Sequence, residues 1–164
     1  MNNFIVLDGN INAASLLKLR EKLINLTEDA EIVIHSTGGD LECAFSMLDL
    51  IEKCPFKITT SVLGKCHSAA IVPFLAGEKR SIHKNSTMLI HEPYTTFSED
   101  ELYRINDLAY HIEKLTLNTN KLLALFEEKT NLTRKQLQKF FKNGETLLTA
   151  EDCIKFGIAI EIIW

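Results

Sequence analysis

The amino-acid sequence predicts an α/β protein in which parallel strands are joined by helices. Short runs rich in β-branched residues alternate with amphipathic segments of helical spacing. Such alternation favours right-handed helical crossovers between parallel strands. The chain has 164 residues, and no internal repeat, low-complexity tract or linker interrupts it. We therefore expect a single domain over residues 1–164.

The strands are predicted from short apolar runs that stop at turn residues. The first run ends at Asp8-Gly9-Asn10, the second ends shortly before Gly38-Gly39, and the third ends at Gly64. Valine, isoleucine and threonine are frequent in these runs, as is typical of strands. The predicted strands are, in order, 4–7, 31–35, 57–63, 79–83, 87–91 and 158–163.

The helices are predicted from apolar periodicity and from capping residues. Asp40, Thr133 and Thr149 each precede a helical pattern, and Ser98 with Glu101 has the spacing of a capping box. Residues 67–76 are small and apolar, which is typical of a buried helix. The predicted helices are, in order, 11–26, 40–53, 67–76, 98–129 (one helix or a consecutive pair), 133–141 and 149–157.

Composition and charge exclude several classes of protein. The formal charge of −4 leaves no basic surplus for phosphates, so nucleic acid is not expected as the main partner. No signal peptide or apolar run of membrane-spanning length occurs, so we expect no membrane association and a cytoplasmic protein. The four cysteines match no zinc pattern and are expected as free thiols. Neither a metal nor a cofactor is expected.

Gly38-Gly39 follows the second strand at the start of a helix, where backbone amides can face a developing oxyanion. A tight turn that needs glycine only for its geometry is the alternative interpretation. The pair does not form a nucleotide-binding loop, since the residues that such loops require do not follow it.

Ser68 begins the small-residue helix after the third strand and is a candidate nucleophile. The helix dipole favours negative charge there, and the Ala69 amide lies next to the reacting atom. A serine that merely caps the helix would occupy the same position. His91 ends the strand 87–91 and is the candidate general base. His67 competes for that role, but residues adjacent on a helix do not face each other.

In this order, these features resemble the ClpP family, the proteolytic subunits of the Clp protease. The resemblance runs from about Phe4 to Ile163. It implies a ClpP/crotonase-like spiral of β-α-β units with a protruding helical handle. The stretches that carry it are Ile34-His-Ser-Thr-Gly-Gly39, Gly64-Lys-Cys-His-Ser-Ala-Ala70, Leu75-Ala-Gly77, Asn85-Ser-Thr-Met-Leu-Ile-His-Glu-Pro93 and Leu148-Thr-Ala-Glu-Asp-Cys-Ile-Lys-Phe-Gly157.

The resemblance implies roles for five residues. Ser68 corresponds to the nucleophile and His91 to the base, while the amides of Gly39 and Ala69 correspond to the oxyanion donors. The acid of the triad falls on Glu145, and a glutamate can orient a histidine as an aspartate does. Two neighbouring residues are alternatives for the acid, namely Asp152 and Asn143.

The resemblance also implies a function and partners. We expect a serine endopeptidase that cleaves peptides or unfolded polypeptide through an acyl-enzyme, assembled as a homo-oligomeric ring. An ATP-dependent unfoldase is a weaker expectation, because the sequence begins almost at the first strand, without the N-terminal loop that engages such partners. The alternatives are an inactive ClpP-like interaction subunit and a crotonase-type enzyme acting on CoA thioesters.

Overall fold

The sheet at the centre of the protein is built mainly of parallel strands. The computed structural model describes residues 3–98, 100 and 102–164. Five strands run parallel in the order β1-β2-β3-β4-β7; β5 pairs in parallel with β3, and β6 pairs antiparallel with β5. The strands are β1 Asn3–Ile11, β2 Ala30–Gly39, β3 Ile58–His67, β4 Arg80–His83, β5 Thr87–Ile90, β6 Thr146–Leu148 and β7 Glu161–Ile163.

The helices follow the strands as crossovers and then form a helical extension, which confirms the predicted α/β architecture of parallel strands joined by helices. They are α1 Ala13–Ile24, α2 Leu41–Glu52, α3 Ile71–Leu75, α4 Ile105–Lys129, α5 Arg134–Lys142 and α6 Ala150–Lys155, with a 3₁₀ turn at Ser68–Ala70. Three predicted caps are confirmed, because the side chains of Asp40, Thr133 and Thr149 accept hydrogen bonds from the first turns of α2, α5 and α6.

The interior of the protein is one hydrophobic cluster between the sheet and the helices. Ile32 and Ile34 of β2, Met47 of α2 and Phe74 of α3 are fully buried in it, and Phe126 of α4 is almost so. Burying a side chain of this size stabilises a fold by about 1.5–3 kcal/mol. This cluster holds the ends of β2, β3 and β5 in fixed relative positions, and the candidate site lies at those ends.

β3 bends at Gly64 and pairs with two different strands on the two sides of the bend. Its first half pairs with β4, and its last three residues pair with β5. Gly64 has a φ of 88°, and a Cβ there would lie 2.8 Å from Nδ1 of His35. Ser86 holds the bend, because its hydroxyl accepts from the Gly64 amide at 2.8 Å and donates to the Val62 carbonyl at 3.1 Å. The bend brings the carboxyl ends of β3 and β5 side by side.

Arg80 connects β4 to the ends of two helices. Its Nε donates to the Ile158 carbonyl at 2.8 Å. One terminal nitrogen donates to the carbonyls of Lys129 and Gly157, at 2.8 and 3.2 Å. Carbonyl groups at helix ends have no partner within their own helix, so the guanidinium satisfies groups that would otherwise need water.

Helix α4 begins later than the sequence predicted. Its first residue is Ile105, and the carboxylate of Asp107 accepts from the Arg104 amide at 2.8 Å, which is a cap of the kind expected at position 98. The residues of 91–98 have no regular secondary structure. The predicted capping partner Glu101 lies outside the described residues.

β6 was missed from the sequence, and several strands are longer than predicted. β6 has only three residues, between two capped helices, and its antiparallel pairing to β5 is a tertiary contact without a local periodicity. β1 continues beyond the predicted strand to Ile11 and β2 to Gly39, because each finds a partner along that length.

Candidate active site

A cavity of about 770 Å³ lies at the carboxyl ends of β2, β3 and β5. Its lining includes the residues to which the family resemblance assigned a chemical role, but not the two alternatives for the acid, Asp152 and Asn143. The assigned residues are Gly39, Ser68, Ala69, His91 and Glu145, and the lining also includes the competing histidine, His67. In parallel sheets such crevices outside the strand ends are where ligands bind.

Ser68 has an unusual backbone conformation at the end of β3. Its φ of 55° makes it the only non-glycine residue with positive φ among those described. Serine in this region carries strain that the surrounding structure must hold. Ser68 is not the cap of the turn that it begins, because the N-cap is His67, which makes no side-chain capping bond. The hydroxyl is therefore available for another partner.

That partner is His91, whose Nε2 lies 2.7 Å from Oγ of Ser68. Nδ1 of the same ring lies 2.8 Å from the backbone carbonyl oxygen of Glu92. A carbonyl oxygen only accepts, so in the neutral ring Nδ1 carries the proton and Nε2 presents its lone pair. The hydroxyl of Ser68 then donates to Nε2, which is the arrangement in which a histidine can take the proton of a serine.

His67 is directed away from the serine. Its Nε2 lies 3.0 Å from the hydroxyl oxygen of Thr87. Burial lowers the pKa of His67 below its ordinary value of 6.5, and Lys65 lowers it further, while the charge of Glu145 acts in the opposite direction. The structure thus places His91, not His67, against Ser68.

Among the three residues considered for the acid, only Glu145 lines the cavity. The carboxylate of Asp152 accepts from the amide and hydroxyl of Thr149, both at 3.1 Å, and so belongs to the cap of α6. Asn143 ends α5. The hydrogen bond that orients His91 goes to the Glu92 carbonyl, and the charge of Glu145 raises the pKa of His67.

The glycine turn lies directly against the serine. A Cβ at Gly38, where φ is 92°, would lie 2.7 Å from Cβ of Ser68 and 2.9 Å from the Ala69 nitrogen. The Gly38 amide donates to Oγ of Ser36 at 3.0 Å, and the Asp40 amide donates to the Ile11 carbonyl at 2.8 Å. The amides on either side of Gly39 therefore already donate hydrogen bonds to other acceptors.

Two features of the site were not predicted from the sequence. Ser36 is fully buried and holds the glycine turn, and its only sequence signal is a serine at the end of an apolar run. Lys114 of α4 and Glu42 of α2 form an ion pair of 3.0 Å on the cavity lining. Their pairing joins residues far apart in sequence and has no local signature.

The described residues contain no metal-ligand cluster, no membrane-spanning helix and no disulfide bond. In these parts of the chain, no three His, Cys, Asp or Glu side chains are grouped as metal ligands would be. No helix in them combines the length and apolar character needed to cross a bilayer. All four cysteines are free, as predicted, and burial raises the pKa of the Cys66 thiol well above its ordinary value.

Comparisons with known proteins agree with this architecture. ATP-dependent Clp protease proteolytic subunit 1 of Corynebacterium glutamicum is 29% identical over 136 residues. That match covers 82% of this chain but 64% of the relative, which is less than two thirds. Proteolytic subunit 2 of Treponema denticola is 29% identical over 169 residues, covering 96% of this chain and 80% of the relative.

A solved structure and a family model extend the comparison. A ClpP1 mutant from Listeria monocytogenes matches with a TM-score of 0.86 and 22% identity, over 98% of this chain and 91% of the other. That similarity establishes the fold. The sequence model of the Clp protease family matches residues 1–164. Because this match spans the whole sequence, the chain belongs to the Clp protease family.

Proposed function

We propose that this chain is a serine peptidase that cleaves peptide bonds through an acyl-enzyme on Ser68. The observation that carries the proposal is the 2.7 Å contact between Nε2 of His91 and Oγ of Ser68. The bond from Nδ1 to the Glu92 carbonyl gives that contact the direction required of a general base. Serine is a weak nucleophile unless such a base removes its proton.

The reaction would proceed in two halves. As Oγ of Ser68 bonds to the substrate carbonyl carbon, its proton moves to Nε2 of His91, and the carbonyl oxygen becomes an oxyanion. Collapse of this intermediate breaks the C–N bond, and the leaving amine takes the proton from Nε2. Water then attacks the ester by the same route, which releases the carboxylic acid and restores Ser68.

The amides of Gly39 and Ala69 are proposed as the oxyanion donors. Both residues line the cavity, and the contact of Gly38 with Ser68 and the Ala69 nitrogen brings the two segments together. The Gly38 and Asp40 amides on either side already have acceptors, and the family resemblance assigns the role of donor to Gly39. Losing one such donor typically slows catalysis by about 10²–10³-fold.

Glu145 is proposed as the carboxylate of the site. It lies on the cavity lining and acts electrostatically on His67. A carboxylate in this position stabilises the imidazolium that His91 becomes while it holds the proton of Ser68. In the free enzyme the Glu92 carbonyl orients the ring, so the contribution of Glu145 is to the charged intermediate.

Peptides or unfolded polypeptides are the proposed substrates, and a homo-oligomeric ring in the cytoplasm is the proposed assembly. The relatives are named as proteolytic subunits of an ATP-dependent protease, which makes an ATP-driven unfoldase a candidate partner. No feature of the described site favours acyl-CoA chemistry over peptide hydrolysis.

Intact-protein mass spectrometry after treatment with a fluorophosphonate tests the proposal. We expect one covalent adduct on the wild type and none on Ser68→Ala, because only a serine activated by a base reacts rapidly. Ser46→Ala is the matched control, since Ser46 is exposed on α2 and its hydroxyl bonds to the Glu42 carbonyl. It should label as the wild type does.

One observation favours a second candidate function, an inactive interaction subunit of the same fold. Nδ1 of His91 is bonded to a backbone carbonyl, not to a carboxylate, and such a site can retain its geometry without turning over. The same measurement separates the two functions. A folded wild-type protein that forms no adduct would reject the peptidase and support the interaction subunit.

A further inference from the structure

One face of α4 forms a wall of the catalytic cavity and becomes more buried along the helix. The Lys114 side chain is 38% exposed and lies at the outer end, paired with Glu42. Phe126 is 1% exposed and lies at the inner end. The cavity therefore opens to solvent near Lys114 and becomes apolar towards Phe126. The wall consists of His111, Lys114, Leu115, Asn118, Leu122 and Phe126.

Asn118 is the innermost polar residue of this wall. It is only 8% exposed, and its carboxamide makes no hydrogen bond to any residue that the structure describes. Asn118 is not among the fully buried side-chain groups that lack a partner, so its carboxamide keeps contact with the solvent of the cavity that it lines. An amide in that position is free to exchange this solvent for a ligand that offers both a donor and an acceptor.

The pocket beside Asn118 adjoins the nucleophile. Ala69 and Ile71 follow Ser68 directly and line the same cavity. The short helix α3, which begins at Ile71, packs against α4. The side chain of a substrate residue whose carbonyl lies at Ser68 would therefore enter between Ile71 and the wall of α4.

We propose that Asn118 is a specificity-determining residue that selects glutamine at the substrate position whose carbonyl Ser68 attacks. This inference rests on the proposed peptidase function and names its substrate class. A carboxamide is both donor and acceptor, and another carboxamide complements it with two hydrogen bonds. The methylene stem of glutamine suits the apolar neighbours Leu115 and Leu122. A charged side chain would lose its hydration there.

Peptide binding to the Ser68→Ala protein tests this selection without turnover. The probes are two peptides that differ only in glutamine or methionine at the selected position, since these side chains are similar in length and flexibility. We expect the glutamine peptide to bind roughly tenfold more tightly, by calorimetry, because it makes two hydrogen bonds that methionine cannot. Adding Asn118→Leu should abolish the preference.

Asn120→Leu is the matched control, because Asn120 is exposed on the same helix and lies off the cavity lining. It should keep the preference for glutamine. The melting temperature supplies an independent readout. Asn118→Leu should change Tm by less than about 2 °C, because the carboxamide makes no hydrogen bond to the described residues that the change would break. A residue that served only the fold would lower Tm when replaced.

Three results would overturn the assignment: equal binding of the two peptides, binding of neither, or a glutamine preference that survives Asn118→Leu. These results are distinct from failure of the peptidase proposal. An unlabelled wild-type protein whose Ser68→Ala variant still prefers glutamine through Asn118 would contradict catalysis and support the recognition residue.

Discussion

Gly38 lies where the backbone of the glycine turn touches Ser68, the proposed nucleophile, so we expect even one added methyl group to disrupt the site. In Gly38→Ala the new Cβ would meet the His67 carbonyl oxygen at 2.6 Å and Cβ of Ser68 at 2.7 Å. The clash and the positive φ together should destabilise the protein by about 2–4 kcal/mol. Fluorophosphonate labelling of the folded fraction should fall at least tenfold.

Gly9→Ala is the control for backbone strain alone. Gly9 has a φ of 81°, and a Cβ there would meet nothing within 4 Å. The expected loss is about 1–2 kcal/mol, with labelling unchanged. If Gly38→Ala labelled as fast as Gly9→Ala, the contact between turn and nucleophile would be irrelevant to catalysis.

His67 should make the folded state less stable at acidic pH. Because burial and Lys65 depress its pKa in the folded protein, the unfolded chain binds the proton first as pH falls below 6.5. Stability contributed by the neutral ring is thus present above that pH and is lost below it. Urea unfolding should show a steeper decline from about pH 7.5 to about pH 5 in wild type than in His67→Gln. Equal declines would contradict this account.

At the scale of residues, the sequence singled out Ser68 and His91, which the structure brings together, but it did not predict the group that orients His91. Ser68 and His91 stand at strand ends within an ordered set of motifs, and strand ends converge in a parallel sheet. The orienting bond from His91 to the Glu92 carbonyl depends on the path of the backbone after β5. No residue type marks that path. Asn118 was unpredictable for a related reason, because one polar residue on a helix does not reveal which face meets a cavity.

At the scale of elements, we expect the stability of the fold to depend more on Arg80 than on a cation at the surface. Arg80→Lys keeps the charge but cannot reach three carbonyls with a planar fork. We expect a loss of about 2–3 kcal/mol, because the carbonyls of Lys129, Gly157 and Ile158 lose their donor. The midpoint of urea unfolding measures this loss.

Arg134→Lys is the matched control for that experiment. Arg134 is exposed and pairs with Glu127 at 3.0 Å on the surface, so its replacement should change stability by less than about 1 kcal/mol. Similar losses in the two variants would mean that the carbonyl contacts of Arg80 contribute nothing beyond a surface charge.

The helices that the sequence predicted well begin at signals that lie within a few residues of the helix start. The side-chain caps at Asp40, Thr133 and Thr149 act within one turn, and each fixed its helix start. The start of α4 was wrong because the competing cap at Arg104 and Asp107 lies a further six residues along. β6 depends wholly on its pairing with β5, and a three-residue strand carries no period of its own.

At the scale of the whole molecule, the outer face of α4 should be an association surface. Ile105 and Ile112 are 84% and 65% exposed, and exposed apolar patches of this kind mark interaction sites. The double variant Ile105→Glu with Ile112→Glu should shift the protein to smaller species in sedimentation velocity, with Tm of the subunit unchanged. Asn120→Glu adds charge to the same helix without removing apolar surface and should leave the assembly intact. A wild-type monomer at micromolar concentration would rule out the proposed ring.

The overall architecture was predicted from the alternation of strands and helices and from the family resemblance. The bend of β3 was not predicted. Parallel strands and crossover helices follow from hydrophobic periods that are visible along the chain. The bend of β3 instead requires Gly64, His35 and Ser86 to meet, and these residues come from three separate segments. These contacts form only when the three segments pack together, so no single stretch of sequence predicts them.

The three-residue pairing of β3 with β5 makes the site sensitive to the length of the chain. Lys65 to His67 lie opposite Thr87 to Leu89, and Ser68 and His91 follow just beyond. Because side chains alternate across a strand, a shift of one residue would turn His91 to the opposite face. A codon inserted or deleted between Ser86 and His91 should therefore abolish the proposed peptidase activity, even where many substitutions there would be tolerated. Natural variants that keep this site are expected to differ in composition across that stretch but not in length.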